Sequence, residues 1–205
     1  MKIGIIGAGV VGRTLAKLAV KAGHEVMLSN SRGPKSMFTL PYSTGCILGT
    51  IEEAAEFGDI LVLAVPFYAY TQLSAALLAD KLLIDACNYY PERDDHIDEL
   101  DLHRTSSSAL IAEHFSHSRI VKAFNAIPMN DLENDGLPAK TPRRRALPLA
   151  GDLESDKQLV VQLYEQFGFD AVDAGRLVEG VRFEPGTPTY CKPLSKEELQ
   201  AALAE

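Results

Sequence analysis

The feature that most constrains this chain is Gly7-Ala8-Gly9-Val10-Val11-Gly12, a GxGxxG turn with the right neighbours. The residues before it, Lys2-Ile3-Gly4-Ile5-Ile6, form a short apolar run that predicts a buried strand. After it, Leu15, Leu18, Ala19 and Ala22 recur on one helical face until Gly23, and His24 to Leu28 is strand-like again. This order predicts an α/β, Rossmann-type doubly wound, mostly parallel sheet. Gly7 permits the tight turn, Gly9 leaves no Cβ between backbone and a pyrophosphate, and Gly12 lets helix and strand pack closely. A dinucleotide can then set its phosphates on the N–H groups of the helix start. The alternative is a glycine-rich turn with a purely structural role.

The end of the second strand bears on which dinucleotide is bound. An NAD site carries an acid there for the ribose 2′-hydroxyl, whereas this chain has Ser29-Asn30-Ser31-Arg32-Gly33-Pro34-Lys35. Ser31 can donate to a 2′-phosphate, Arg32 can fork onto it and Lys35 can add a point charge, which favours NADP(H). Ordinary solvated loop charges are the competing account. Residues 1–44 hold six Lys or Arg against Glu25 alone, although the whole chain carries −8. That overall charge argues against nucleic acid as a partner.

At 205 residues, with 46% hydrophobic and 23% charged side chains, the composition is that of a soluble globular protein. The longest apolar run, Ile60 to Tyr70, contains Pro66 and is shorter than the roughly 18 residues a membrane span needs. Cys46, Cys87 and Cys191 lie far apart with no metal-ligand spacing, so no metal site is expected and a reducing cytoplasm fits best.

Further along, Thr50 and Glu53 form a capping box, and Asp59 to Val65 reads as a strand covered on both faces. Val65, Pro66 and Phe67 leave the sheet edge where ligands bind, although Pro66 could equally start a helix over Tyr68 to Leu78. The strand Lys81 to Asp85 leads to a long connection in which Asn88, Tyr89 and Tyr90 are the residues of interest. The acidic stretch Glu92 to Asp101 reads as a solvated loop. Thr105 to Ser108 reads as a helix cap. Arg119 to Phe124 is a further strand ending at Asn125-Ala126-Ile127-Pro128, where Asn125 either bonds a carboxamide or closes the turn. Arg143 to Arg145 reads as an exposed strand start near a sheet edge, Ser155 and Gln158 as a capping box, Phe169 to Val172 as the last strand, and Ser195 with Glu198 as the cap of a short final helix.

Taken together, IGIIGAGVVGRTLAKLAVKAGHEV, SNSRGP, LVLAVP, VKAFNAIP and AGDLESDKQLVVQLYEQFGFDAVDAG resemble the deazaflavin-dependent NADP reductase family, whose electron partner is coenzyme factor 420. A similar domain forms the cytosolic part of the six-transmembrane ferric reductases. The resemblance implies a nucleotide domain over residues 1–175 that holds NADP(H) through Gly7, Ala8, Gly9, Val10, Val11 and Gly12, with Ser31, Arg32 and Lys35 on the 2′-phosphate. Val65 and Pro66 would lie beside the cofactor and the Asn125 to Pro128 segment, with Ala126 and Ile127, near the nicotinamide; the sheet-edge position adds Phe67 to the cofactor side and makes Asn88 and Tyr89, with Pro128, the candidates to meet a small-molecule electron acceptor. The resemblance further implies direct hydride transfer to a flavin-like, deazaflavin or quinone-like second substrate, with no catalytic acid, base or metal. Residues 176–205 form a short charged tail with Pro185, Pro188 and Pro193, expected to pack across a homodimer or wall the acceptor site. A non-catalytic NADP(H)-binding sensor or scaffold is the competing function.

Overall fold

The computed structural model describes residues 1–204. Eight strands form one sheet: β1 (Lys2–Ile6), β2 (Glu25–Ser29), β3 (Ile47–Leu48), β4 (Ile60–Leu63), β5 (Leu82–Asp85), β6 (Arg119–Lys122), β7 (Ala146–Gly151) and β8 (Asp170–Asp173). Their order is β3-β2-β1-β4-β5-β6-β7-β8, and only the β6–β7 pair is antiparallel. The first six strands therefore have the doubly wound Rossmann arrangement, with the chain reversing direction across the sheet between β1 and β4. β4 and β5 are buried at every position, as an uninterrupted apolar run between two helical layers requires.

One core lies under helices Val10–Lys21 and Glu154–Phe167, where Leu15, Leu18, Val160, Leu163 and Tyr164 meet the sheet. A second fills the opposite face around Phe67, Tyr70, Leu78, Ile111 and Phe115. A third lies at the far end, where Phe183, Leu199 and Leu203 of the tail cover Ala146, Ala150 and Val172. Apolar residues of the tail thus cover the β7–β8 end of its own sheet.

Local expectations fared unevenly. Thr50 and Glu53 do form a reciprocal capping box, and Ser195 with Glu198 caps the final helix Lys196–Ala204. The expected helix over 68–78 is instead two 3-10 turns, Phe67–Gln72 and Ala75–Leu78, separated by extended Leu73 and Ser74. Phe67, Tyr70 and Leu73 recur every third residue, the period of a 3-10 turn rather than of an α-helix. Helix Glu154–Phe167 starts one residue before Ser155, and Gln158 bonds Glu154 within the helix, so that capping box does not form. Arg144 and Arg145 are buried rather than exposed: Arg144 pairs with Glu165 and Asp170, and Arg145 with Asp131 and Asp135. β7 tolerates Pro148 because its bonds to β8 run through Arg145 and Leu149, which turns the Pro148 nitrogen to the β6 side, where pairing is confined to Ala150 and Gly151.

Candidate functional site

The carboxyl ends of β1 and β4 open onto a cleft of about 550 Å³. Gly7, Ala8 and Gly9 form its floor, Asn30, Ser31 and Arg32 one end, and Val65, Pro66 and Tyr68 the opposite wall. Gly7 has φ +115°, and a Cβ there would lie 2.2 Å from the Ala64 carbonyl oxygen. A Cβ on Gly12 would lie 1.8 Å from the Gly7 carbonyl oxygen, so helix Val10–Lys21 can sit this close to the turn only with glycine there. Gly9 has open space over its Cα and no side chain to cap the helix, whose first turn carries no acid. This concavity of unencumbered backbone suits a diphosphate.

At the ribose end, the Asn30 carboxamide shapes the loop: its oxygen accepts the Arg32 N–H at 3.0 Å, and its nitrogen donates to Ser36 at 3.0 Å. Ser31 and Arg32 are exposed, and Arg32 enters none of the ion pairs among the described residues. Lys35 lies exposed in the turn Pro34–Met37 and is not a wall of the cleft. Arg13, which pattern reading passed over, lines the cleft one turn into the helix. Its place at GxGxxG-R is the signal that could have found it.

Other assigned residues fall elsewhere. Val10 is exposed outside the cleft and Val11 packs toward the main core, so neither presents a side chain to it. Phe67 is fully buried against Tyr70 and Tyr89, and Tyr68 takes the place expected for it. Ala126 and Ile127 are also buried in the cores, whereas Pro128 is exposed at the start of helix Met129–Asn134.

Asn125 and Asn88 are brought together at the ends of β6 and β5. Asn88 Nδ2 donates to the Asn125 carbonyl at 3.0 Å, and Asn125 Nδ2 donates to Asn88 Oδ1 at 3.1 Å and to the Phe183 carbonyl at 3.0 Å. Asn125 Oδ1 is buried and has no partner. The preceding Phe124 holds φ +63°, an uncommon conformation for a bulky residue. It is pinned by its N–H to the Tyr164 hydroxyl at 3.1 Å and by the Tyr164 ring.

Behind this pair lies a buried charged cluster absent from the sequence reading. Lys122 Nζ donates to Asp85 Oδ2 at 3.2 Å, to the Cys87 carbonyl at 3.1 Å and to Ser107 Oγ at 3.1 Å. Ser108 donates to Asp85 at 2.5 Å, and the N–H and hydroxyl of Ser107 both reach Glu184 of the tail. Burial alone would depress the Lys122 ammonium, but Asp85 and Glu184 outweigh it and hold the pKa above the ordinary lysine value. Ser106 is the helix cap that the serine run predicted, while Ser107 and Ser108 serve this cluster.

The acidic 92–101 stretch is likewise not simply solvated. Asp94 is buried, accepting the N–H of Tyr68 at 3.2 Å and of Tyr90 at 2.9 Å while Arg93 pairs with it. Burial pushes its carboxyl up, but Arg93 and the two N–H groups bring the pKa below the ordinary carboxylate value. Tyr89 donates to Asp101 at 2.8 Å and accepts the Ile97 N–H at 3.0 Å, and the bond from His96 to Asp101 raises the imidazole pKa. Among the described residues no cluster of His, Cys, Asp and Glu is placed to hold a metal ion, and no helix is long and apolar enough to cross a membrane.

Comparison with known proteins sets similar chains beside this geometry. Metalloreductase STEAP3 of Rattus norvegicus is 30% identical over 188 residues, which is 89% of this chain and 36% of that protein. The chain thus spans little more than a third of its curated relative. A hypothetical protein of Sinorhizobium meliloti shares the fold with a TM-score of 0.81 at 28% identity, over 96% of this chain and 95% of the other. A candidate F420-dependent NADP reductase of Arthrobacter sp. FB24 has a TM-score of 0.73 at 22% identity, covering 88% and 87%, a likeness of fold. Residues 2–89, from β1 through the segment after β5, match the family described as NADP oxidoreductase coenzyme F420-dependent.

Proposed function

We propose that the chain is an NADPH-dependent oxidoreductase that passes a hydride between the nicotinamide and a flavin-like, deazaflavin or quinone-like small molecule. The observation that carries this reading is that the glycine turn and a carboxylate-free, Arg32-bearing end of β2 wall a single cleft. The donor set fits NADP(H): open backbone at Gly9 for the diphosphate, and Ser31 and Arg32 for a 2′-phosphate. When bound, NADPH supplies the hydride, and the chain's part is to hold two rings in register. Val65 and Pro66 would flank the ring at the end of β4. Among the described residues Asn125 Oδ1, just beyond the end of β6, is a buried acceptor without a partner, and an N–H such as that of a carboxamide would satisfy it.

NADPH absorbance followed with free flavin, deazaflavin, quinone and ferric chelate tests the reading. Consumption above buffer with at least one acceptor is expected. Tight NADPH binding without turnover of any acceptor would instead make the chain a sensor or scaffold.

A further inference from the structure

A second cleft opens at the same sheet edge, between residues 89–105 and tail residues 181–187, with a volume of about 510 Å³. That is within the range of small-molecule sites. Tyr89, Tyr90, Pro91 and Pro185 give it flat apolar surface, and Glu92, Asp101 and Glu184 are its carboxylates. We propose that this cleft is the acceptor site and that it selects a planar acceptor without negative charge, such as a neutral isoalloxazine or quinone, over a phosphorylated one. The inference rests on the oxidoreductase reading above.

Position supports it. Asp94 holds the N–H of Tyr68, a wall of the nucleotide cleft, and the N–H of Tyr90, a wall of the second, so one buried carboxylate ties the two walls together. On the other side Asn88, which bonds Asn125 at the end of β6, donates to the Tyr190 hydroxyl at 3.3 Å, and that hydroxyl lies 2.5 Å from the hydroxyl of Tyr90. The cleft is thus joined to the expected nicotinamide edge through Asn88.

Charge decides the class of ligand. Glu92 is exposed and enters no ion pair among the described residues. The Lys122 charge is shared by Asp85 and Glu184, which leaves that cluster with a net negative charge. Asp101 faces His96, which neutralises it only while the imidazole is protonated. Arg93 is tied to Asp94, Arg182 to Glu179, and His103 is the lining residue that could add positive charge. A phosphate entering here meets carboxylates and no committed cation, whereas a neutral ring meets tyrosine and proline faces. The overall conversion balances as acceptor, NADPH and one solvent proton giving reduced acceptor and NADP⁺.

Riboflavin and FMN share a ring and a ribityl chain and differ by one phosphate, so they isolate this selectivity. Quenching of flavin fluorescence by the full chain, saturated with the non-reducing NADP⁺, reads binding without turnover. Riboflavin is expected to bind at least about tenfold more tightly than FMN at low salt, with the ratio shrinking as salt rises. Glu92→Lys, at an exposed position, is expected to tighten FMN by roughly threefold or more and leave riboflavin nearly unmoved. Equal affinities, no binding of either flavin, or a ratio indifferent to Glu92→Lys would overturn the inference. Turnover of riboflavin with equal affinities would keep the oxidoreductase reading and remove this one. Selective binding of riboflavin without NADPH consumption would keep the binding site and its charge selectivity and overturn its role as acceptor site, while the oxidoreductase reading would fall only if deazaflavin, quinone and ferric chelate also failed to consume NADPH.

Discussion

Replacing Lys122 by Met tests the buried cluster most directly. Lys122 and Asp85 are both fully buried, and all three ammonium hydrogens have acceptors within 3.2 Å. Methionine fills much the same volume, so packing changes little and the charge effect dominates. Asp85 would retain the Ser108 hydroxyl and the Cys87 N–H, and Glu184 would retain Ser107, but no cation would face either carboxylate. Breaking a buried pair in this way costs about 3–5 kcal/mol. At roughly 2–4 °C per kcal/mol for a chain of this size, Tm should fall by about 6–20 °C. Lys122→Met with Asp85→Asn should recover part of the loss at pH 7. A Tm within about 2 °C of wild type, or no recovery in the double variant, would refute the idea that uncompensated charge governs this site.

Arg32→Ala should weaken NADPH by about 1.5–3 kcal/mol and spare NADH in parallel titrations, the loss of one charge-assisted contact; an equal loss for both would mean that Arg32 only supports the loop. Gly12→Ala puts a Cβ 1.8 Å from a backbone oxygen that cannot swing away, so urea melts should show about 1–3 kcal/mol of destabilisation together with weaker NADPH binding. Asp94→Asn should cost about 1–3 kcal/mol near neutrality. Because the Asp94 pKa lies below its ordinary value of 3.8, its contribution is present above that value and lost as pH falls through the folded one; the variant's deficit should close over that acid window. A chain ending at Gly175 loses buried Leu177, Phe183, Leu199 and Leu203, up to about 6–12 kcal/mol of apolar burial, and should show no cooperative unfolding by circular dichroism.

What was legible in the sequence was local. The glycine turn, its flanking strands and the Thr50–Glu53 box involve residues within a few positions of one another, and backbone geometry dictates residue type at each. The unbroken apolar β4 was readable for the same reason. What was not legible depends on partners distant in sequence. Ser107 meets Glu184 across 77 positions, and Lys122 meets Asp85 across 37. Arg144 and Arg145 read as solvated because nothing adjacent announces Glu165, Asp170, Asp131 or Asp135. Phe67 was misplaced through its backbone: the 3-10 turn rotates its ring into the core and leaves Tyr68 on the cleft.

These long-range contacts decide how the acceptor side is assembled. A tail of 30 residues with three prolines looks like a segment in search of a partner chain, yet its attachment points are specific and internal. Glu184 enters the Lys122 cluster, the Phe183 carbonyl caps Asn125, and the Cys191 N–H donates to the Ala126 carbonyl at 3.2 Å. Gly180 lets the tail cross Lys122 closely, since a Cβ there would lie 2.9 Å from the lysine Cδ. Each attachment lands at or beside the carboxyl ends of β5 and β6, where the nicotinamide is expected. The tail therefore completes the second cleft within one chain. The strand it leaves at the sheet edge, β8, is only four residues long and has its end carboxylates, Asp170 and Asp173, engaged by Arg144 and Lys157. A short edge flanked by charges is a poor template for strand pairing. Strand pairing through β8 is therefore disfavoured as a route to a homodimer.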